Sequence, residues 1–238
     1  MRLNNIKKDY GNFSTILKYN HSFDIIQPRC QVHDNISCMI CWPRKKTNNK
    51  INLSSLQRTK TTISDYTLSN SFDLFCTFTV NPDKLDSFDI DLCKKKMSWW
   101  LNYQRKLFPD LMYIGVSEKH LSGRLHFHFL LKNFKGKLTN SGKIDEKGNI
   151  IYNIQNWKWG FSTATEIKSI EKTASYIKKY ITKELITENN KKRYFYSNNL
   201  KKPTKTINVN FQTEVRDRPL FVKDVYLHEN FKVYKIVN

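Results

Sequence analysis

The chain is short of acidic residues, and several features of exported or membrane proteins are missing from it. Only 21 of 238 residues are Asp or Glu, against 41 Lys and Arg. Its five cysteines are an odd number without an export signal, so we do not expect a disulfide framework. No apolar run is long enough to cross a membrane, and no signal peptide or basic amphipathic N-terminal helix is visible. These absences predict a cytoplasmic protein without a membrane partner.

The shortage of acid leaves a formal net charge of +20. Such a field attracts polyanions, and nucleic acid is the commonest of them. An anionic membrane surface is the rival partner, but it is disfavoured by the missing membrane signals. An inert basic surface from a Lys-rich, AT-biased genome is the other explanation, because Lys, Asn and Ile are abundant.

The pattern of apolar residues predicts an α+β fold. We divide the chain into a basic N-terminal appendage, residues 1–50, and one larger domain, residues 51–238. Helical spacing covers 51–70, 89–107 and 166–185, residues 134–150 are a loop, and strands are predicted at 74–80, 111–117, 124–131, through 165, 206–211 and 225–237. This order favours an antiparallel sheet with helices on its faces.

His126 and His128 flank a single phenylalanine in an apolar run, residues 123–131. Residues i and i+2 of a strand point to the same face, so two imidazoles project side by side while the alternate apolar residues enter a core. Adjacent imidazoles can share a divalent metal ion. A satisfied core histidine is the alternative.

Tyr176 and Tyr180 are four residues apart in the third predicted helix, and so share a face close to Lys179 and Lys183. A tyrosine can attack phosphorus and form a phosphotyrosine, provided that a cation or base assists its weakly acidic hydroxyl. Ordinary amphipathic tyrosines at a helix edge are the alternative. If both pairs are functional, the histidines should face Tyr176 or Tyr180 across a gap that fits one metal ion and one phosphate.

Four metal-competent residues cluster in the appendage with the spacing C-x2-H-x4-C-x2-C: Cys30, His33, Cys38 and Cys41. Three cysteines and one histidine suit a structural Zn²⁺ ion, although the link between the two pairs is short. Reduced, unliganded thiols are the alternative.

Three motifs stand in the order found in HUH endonucleases. They are residues 75–82 (FCTFTVNP), residues 123–128 (GRLHFH) and residues 176–183 (YIKKYITK), and residues 193–203 add a further similar segment. Over about residues 55–205 the chain resembles the two-tyrosine rolling-circle replication initiators of small phages and plasmids.

The resemblance implies a central antiparallel sheet of about five strands, related to the ferredoxin-like and RNA-recognition folds. It implies that Glu118 joins His126 and His128 around Mg²⁺ or Mn²⁺, with His120 as the competing ligand. Tyr176 and Tyr180 become nucleophiles assisted by Lys179, and candidate DNA contacts are Asn81, Arg124, Lys183 and Arg193.

The implied activity is metal-dependent nicking of single-stranded origin DNA through a 5′-phosphotyrosine, in the cytoplasm of a bacterial host. The freed 3′-OH primes a host DNA polymerase. No GxxxxGK[ST] motif is present, so unwinding falls to a host helicase. An HUH transposase or mobilisation relaxase, a non-catalytic single-stranded nucleic-acid-binding module and a zinc-dependent DNA-binding regulator are the alternatives.

Overall fold

A computed structural model describes residues 5–19, 53–120, 122–180, 194–210, 212, 220–222 and 231–237. The elements in chain order are β1 (Ile6–Asp9), β2 (Phe13–Tyr19), α1 (Leu53–Ser69), β3 (Leu74–Thr79), α2 (Ile90–Leu107), β4 (Met112–Lys119), β5 (Leu125–Lys132), β6 (Leu138–Ile144), β7 (Ile150–Ile154), β8 (Ser162–Glu166), α3 (Ile170–Ile177), a 3₁₀ turn (Lys178–Tyr180), β9 (Tyr194–Tyr196), β10 (Thr204–Ile207), β11 (Leu220–Val222) and β12 (Phe231–Val237).

The chain divides into two compact units, residues 51–202 and residues 1–50 together with 203–238. The second unit holds a five-stranded antiparallel sheet in the order β10-β1-β2-β12-β11. Residues 203–238, grouped with the larger domain in the sequence analysis, belong to this unit because β12 pairs along β2 and β10 pairs with β1. Strands β1 and β2 also replace irregular structure expected near the N-terminus.

The larger unit is built on a seven-stranded antiparallel sheet in the order β6-β7-β8-β3-β5-β4-β9. The predicted α+β class with an antiparallel sheet is confirmed, with seven strands instead of about five. Neighbours β3 and β4 enclose β5, so that β5 is hydrogen-bonded along both edges.

Helices cover both faces of this sheet. On one face α2 buries Met97, Trp100 and Leu101 against strand residues that include Phe78 and Phe127. On the other face α1 and α3 pack over a second buried cluster, to which they contribute Leu56, Ile63, Tyr66 and Ile177. Since successive residues of β5 point to opposite faces, Leu125, Phe127, Phe129 and Leu131 enter the first core, and the histidines face the helix pair.

Local hydrogen bonds explain where the two best-defined helices begin. The Asp89 carboxylate accepts from the backbone N–H of Leu92, and the Ser169 hydroxyl accepts from that of Lys172. Both side chains satisfy N–H groups that the first turn of a helix leaves unpaired. Of the described residues, none forms a helix both long and apolar enough to cross a membrane.

Two predicted elements differ from the structure. Residues 134–150, expected to be a loop, include β6 and the start of β7, because the Asp145 carboxylate accepts from the N–H groups of Lys147 and Asn149 and closes a hairpin turn. The third helix begins at Ile170, not at residue 166, because β8 runs to Glu166 and the Ser169 cap follows it. Residues 181–193 lie outside the described part.

Gly115 provides a direct test of the sheet packing. It is the register partner of Phe129, and a Cβ atom at this position would overlap the Phe129 ring, which is fully buried. We expect Gly115→Ala to lower the free energy of unfolding by about 1–3 kcal/mol, as overpacked cores do. Urea denaturation measures the change. The smaller side chain of Phe129→Leu should recover part of the loss in the double variant, and additive losses would contradict the overlap.

Candidate active site

Strand register brings the candidate ligands together. His126 is opposite Thr79 on β3 and Glu118 on β4, whereas His128 is opposite Thr77 and Val116. Directly paired residues of an antiparallel sheet point to the same face. The two imidazoles, the Glu118 carboxylate and two threonine hydroxyls therefore share the face that α1 and α3 cover.

His128 is held at both ring nitrogens. Its Nε2 lies 2.9 Å from Oε2 of Glu118, and its Nδ1 lies 3.2 Å from Oγ1 of Thr77. An ionised carboxylate can only accept, so Nε2 carries the proton beside an ionised Glu118, and the Thr77 hydroxyl donates to Nδ1. A hydroxyl can also accept, so Thr77 matches either tautomer of His128.

Burial keeps His128 neutral. The residue is 5% exposed, and removal from water, with a smaller contribution from His126, lowers its pKa to about 3. The neighbouring Glu118 carboxylate favours the imidazolium, but burial outweighs it. A neutral imidazole is the form that can donate a lone pair to a metal ion.

His126 lies nearer the surface and stacks on another histidine. Its ring is nearly parallel to that of His120, with centroids 5.2 Å apart. Burial, His120 and Arg124 lower the pKa of His126, and Glu118 opposes them. His120 thus lies beside the predicted ligands, with its Nδ1 3.1 Å from the Ser122 hydroxyl.

Helix α3 carries the tyrosines to the same face. Ala174 and Ile177 are buried and anchor the helix, whereas Tyr176 is 44% exposed and meets the Phe75 ring edge-on. The helix ends at Ile177, and Tyr180 lies in the tighter 3₁₀ turn. A 3₁₀ turn rotates each residue by about 120° instead of about 100°, so the two tyrosines diverge more than they would in one continuous helix.

Tyr180 turns towards the sheet and stacks on His128, with ring centroids 3.6 Å apart and planes 16° apart. The rings of Tyr176 and Tyr180 are 5.2 Å apart and nearly perpendicular. The expected proximity of the tyrosines to the histidines is therefore observed, but without a gap, because Tyr180 contacts His128 directly.

The surroundings of Tyr180 disfavour its ionised form. Burial raises its pKa most, followed by a hydrogen bond with Tyr176 and the negative charges of Tyr176 and Glu118. The Lys179 ammonium lies 5.5 Å from the centre of the Tyr176 ring. A positive charge beside Glu118 and His128 would offset part of the penalty on Tyr180.

The donors can be compared with the needs of Mg²⁺ or Mn²⁺. Over the part of the chain that the structure describes, no three or more His, Cys, Asp or Glu side chains are grouped to hold a metal ion. Two donors do fit: Nε2 of His128 and Oε2 of Glu118 are 2.9 Å apart, close to the ~3 Å between adjacent ligands of an octahedral ion with bonds of about 2.1 Å. His126 would have to turn from its stack on His120 to complete the set.

The other predicted residues are only partly described. Arg124 is exposed just before β5, and Asn81 follows β3, where its side chain accepts from the N–H of Asp83. Both lie close to the strand ends that carry His126 and Thr79. Lys183, Arg193 and the cluster Cys30, His33, Cys38 and Cys41 lie outside the described residues.

Thr77 and Phe75 contact the candidate site without having been predicted to do so. Thr77 holds Nδ1 of His128, and Phe75 contacts both the His128 ring and the Tyr176 ring. They alternate along β3, in phase with the histidines of β5. The two-residue period of the β3 sequence was the available signal, but it does not reveal which strand lies beside β5.

Comparison with known proteins gives one relation. A family model for replication-associated proteins of the ORF2 group matches residues 73–185, just under half of the chain. No curated protein and no solved structure gives a significant match. The matched segment contains Glu118, both histidines and both tyrosines, and it indicates a replication-associated function of the rolling-circle kind. The HUH type and the two-tyrosine type stay predictions.

The pKa of His128 predicts a pH-dependent stability. The folded chain keeps this imidazole neutral down to about pH 3, whereas the unfolded chain protonates it near pH 6.5. The unfolded state therefore binds more protons between these values. The free energy of unfolding should fall as pH decreases through the window, by up to about 1.4 kcal/mol per pH unit.

Urea denaturation at about pH 7.5 and about pH 4.5 measures this effect, and His128→Gln should lose less stability on acidification than the wild type. Imidazole NMR signals give an independent check. The His128 signal should stay constant from about pH 8 to about pH 5 in the folded chain and titrate in urea. An imidazole that titrates near pH 6.5 in the folded chain would contradict the burial effect.

Proposed function

We propose that this chain is a rolling-circle replication initiator that nicks and rejoins single-stranded origin DNA by tyrosine transesterification. The observation that carries the proposal is the contact of Tyr180 with His128, at 3.6 Å between ring centroids, while the same imidazole lies 2.9 Å from the Glu118 carboxylate. A candidate nucleophile and two candidate metal ligands thus meet at one point. The match to replication-associated proteins supports this function independently.

The proposed chemistry exchanges one phosphate ester for another. A tyrosine hydroxyl attacks the scissile phosphorus, the P–O3′ bond breaks, and the departing 3′-oxygen takes up the proton that the tyrosine loses. The products are a 5′-phosphotyrosine and a free 3′-OH, which primes a host polymerase. Because one ester bond replaces another of similar energy, the reverse reaction rejoins the strand without a nucleotide cofactor.

Two tyrosines permit a second cleavage while the first remains bound to DNA. Tyr176 is 44% exposed and Tyr180 is half-buried against His128, so the two hydroxyls approach the phosphate from different positions. Their rings remain in contact, 5.2 Å apart, which keeps both within reach of one phosphate. After one round the second tyrosine cleaves the regenerated origin, and the new 3′-OH attacks the first phosphotyrosine to close a circle.

Glu118, His126 and His128 are the residues that would hold Mg²⁺ or Mn²⁺. When bound, the ion polarises the scissile phosphate and steadies charge on the leaving oxygen. Thr77 orients the His128 ring, since it contacts Nδ1 at 3.2 Å. Lys179 lies beside Tyr176, where its charge favours the phenolate. Arg124, Asn81, Lys183 and Arg193 are proposed DNA contacts, and unwinding requires a host helicase.

A non-catalytic nucleic-acid-binding module is the second candidate. The direct stack of Tyr180 on His128, without a gap between the rings, and the raised pKa of the Tyr180 hydroxyl favour it. It does not account for the Glu118 carboxylate against the buried imidazole, which the basic charge of the chain alone would not require. Metal-dependent nicking separates the two functions.

The nucleophiles can be tested on single-stranded DNA from the replicon that encodes the chain, incubated with Mn²⁺. Tyr176→Phe/Tyr180→Phe should lower covalent protein–DNA adducts by at least about 10³-fold, since the attacking oxygens are gone. Denaturing gels measure the adduct and peptide mapping locates it. Each single variant should form its adduct on the remaining tyrosine.

DNA binding of the double variant is the control, because phenylalanine keeps the ring contacts. It should bind the same oligonucleotide within about twofold of wild type. Adducts that persist in the double variant would exclude these tyrosines as nucleophiles.

The ligand set predicts which substitutions abolish the metal-dependent reaction. His126→Ala, His128→Ala and Glu118→Gln should each reduce nicking by at least about tenfold to a hundredfold, and EDTA should abolish it in the wild type. Quantified nicking over a Mn²⁺ titration measures the loss. His120→Gln is the matched control, since it changes a histidine beside His126 outside the proposed set. Equal nicking in EDTA, or an equal loss in the control, would contradict the assignment.

A further inference from the structure

The outer face of α2 exposes aromatic rings among lysines. We define this α2 outer face by Lys95, Lys96, Trp99 and Tyr103. Trp99 is 54% exposed and Tyr103 is 57% exposed, and they lie one helical turn apart on the same side. Trp100, the next residue, is 3% exposed in the core. The core therefore accounts for one indole of this pair and leaves the other in solvent.

Lysine ammonium groups surround the exposed indole. Nζ of Lys96 lies 4.7 Å from the Trp99 ring centre, and Nζ of Lys95 lies 5.7 Å from it. The Lys96 ammonium is also 5.8 Å from the ring of Trp159, which is half-buried. Cation–π contacts at exposed sites contribute on the order of 1 kcal/mol or less, so they hold these groups together without preventing a competing ligand.

The charge on this helix has one sign after its first turn. Residues 94–107 contain five Lys and Arg and no Asp or Glu, and the acidic residues Asp89 and Asp91 stand at the start of the helix. Protein–protein interfaces are depleted of lysine at their centres, whereas sites for unpaired nucleic acid combine stacking rings with cations. The composition thus favours a polyanion with flat bases over a protein.

We propose that the α2 outer face binds single-stranded nucleic acid, with bases stacked on Trp99 and Tyr103 and phosphates held by Lys95 and Lys96. The proposal rests on the proposed function in one respect, since it supposes that the chain handles unpaired DNA. Its location is different: α2 covers one face of the seven-stranded sheet, and α3 with its tyrosines covers the other. The surface would therefore hold DNA outside the nicking site.

A hydrogen-bonded segment links this surface to the candidate active site. The Trp159 carbonyl accepts from the N–H of Asn81 at 2.8 Å, and the Phe161 carbonyl accepts from that of Thr79 at 2.9 Å. Thr79 is the register partner of His126. Gly160 allows this close approach, because a Cβ atom there would overlap the Thr79 carbonyl oxygen.

Phe161 adds a ring at the far end of the segment, and it is 77% exposed. Exposed rings and ammonium groups therefore run from Trp99 past Lys96 and Trp159 to Phe161, next to the strand position opposite His126. A single strand that passes the end of β3 would meet them in this order. We accordingly assign the α2 outer face to DNA that lies outside the scissile step.

Binding of a fluorescein-labelled single-stranded oligonucleotide to the full chain, followed by anisotropy, tests the proposal. Trp99→Ala should weaken binding at least about fivefold, and Trp99→Phe, which keeps a stacking ring, should restore most of it. Lys95→Gln/Lys96→Gln should weaken binding and flatten the dependence of log K on log salt by roughly 0.7 per lost phosphate contact. Lys147→Gln in the β6–β7 turn is the charge-matched control, and it should change the affinity less than about twofold.

Indole fluorescence gives a second measurement. Trp100 and Trp157 are 3% and 5% exposed, so DNA should quench Trp99 strongly, and Trp99→Phe should lose that part of the quenching. Equal affinity of wild type, Trp99→Ala and the double lysine variant would overturn the proposal. So would Trp99-dependent self-association, seen by light scattering, without an effect on DNA affinity, since the surface would then join copies of the chain.

The two proposals can fail separately. Metal-dependent nicking with DNA affinity that is independent of Trp99 would contradict this inference alone. Trp99-dependent DNA binding without tyrosine adducts would contradict the proposed function alone. A chain that binds no single-stranded DNA would contradict both.

Discussion

The pairing of β5 with a strand on each side is the constraint on which the candidate site depends. Hydrogen bonds to β3 and β4 fix the register, and the register fixes which side chains face His126 and His128. A slip by one residue would move the histidines into the core and bring Phe127 and Phe129 to the site. Since both phenylalanines are fully buried under α2, the packing of one face sets the chemistry of the other.

Electrostatics within the site run against those of the whole chain. The chain carries a net charge of +20, yet burial keeps His128 neutral, and Glu118 supplies a negative charge where Tyr180 packs. A basic surface that gathers a polyanion therefore surrounds a small spot with an excess of negative charge. Such a spot disfavours a phenolate and a phosphate together unless a cation joins them, which is the physical reason that the proposed reaction needs a metal ion.

The sequence predicts most of the larger unit because its central elements have strong periodicity. The apolar alternation of β5 and the helical spacing of α2 are clear in the residue pattern, and both elements lie within two residues of their predicted bounds. The β6–β7 hairpin was missed because its strands are largely exposed and carry no apolar alternation. Neither β1 nor β2 was predicted, since their pairing with β10 and β12 joins residues almost 200 positions apart.

At the site, the sequence supplied the histidines, Glu118 and the tyrosines, but not their contacts. The role of Thr77 depends on strand order, which no local pattern encodes. The direct stack of Tyr180 on His128 depends on the change from α-helix to 3₁₀ turn after Ile177. Propensity alone predicted one uninterrupted helix there, and so placed the two tyrosines in equivalent positions.

The two halves of the site rest on elements of unequal local stability. The histidines stand on β5, which is hydrogen-bonded along both edges and covered on both faces, so its amide hydrogens should exchange only on global unfolding. The tyrosines stand on α3, an eight-residue helix followed by a single 3₁₀ turn. A helix of that length has little stability of its own and can detach at a small fraction of the cost of global unfolding. The site therefore joins a fixed wall to a hinged one, and the hinged wall carries the hydroxyl groups.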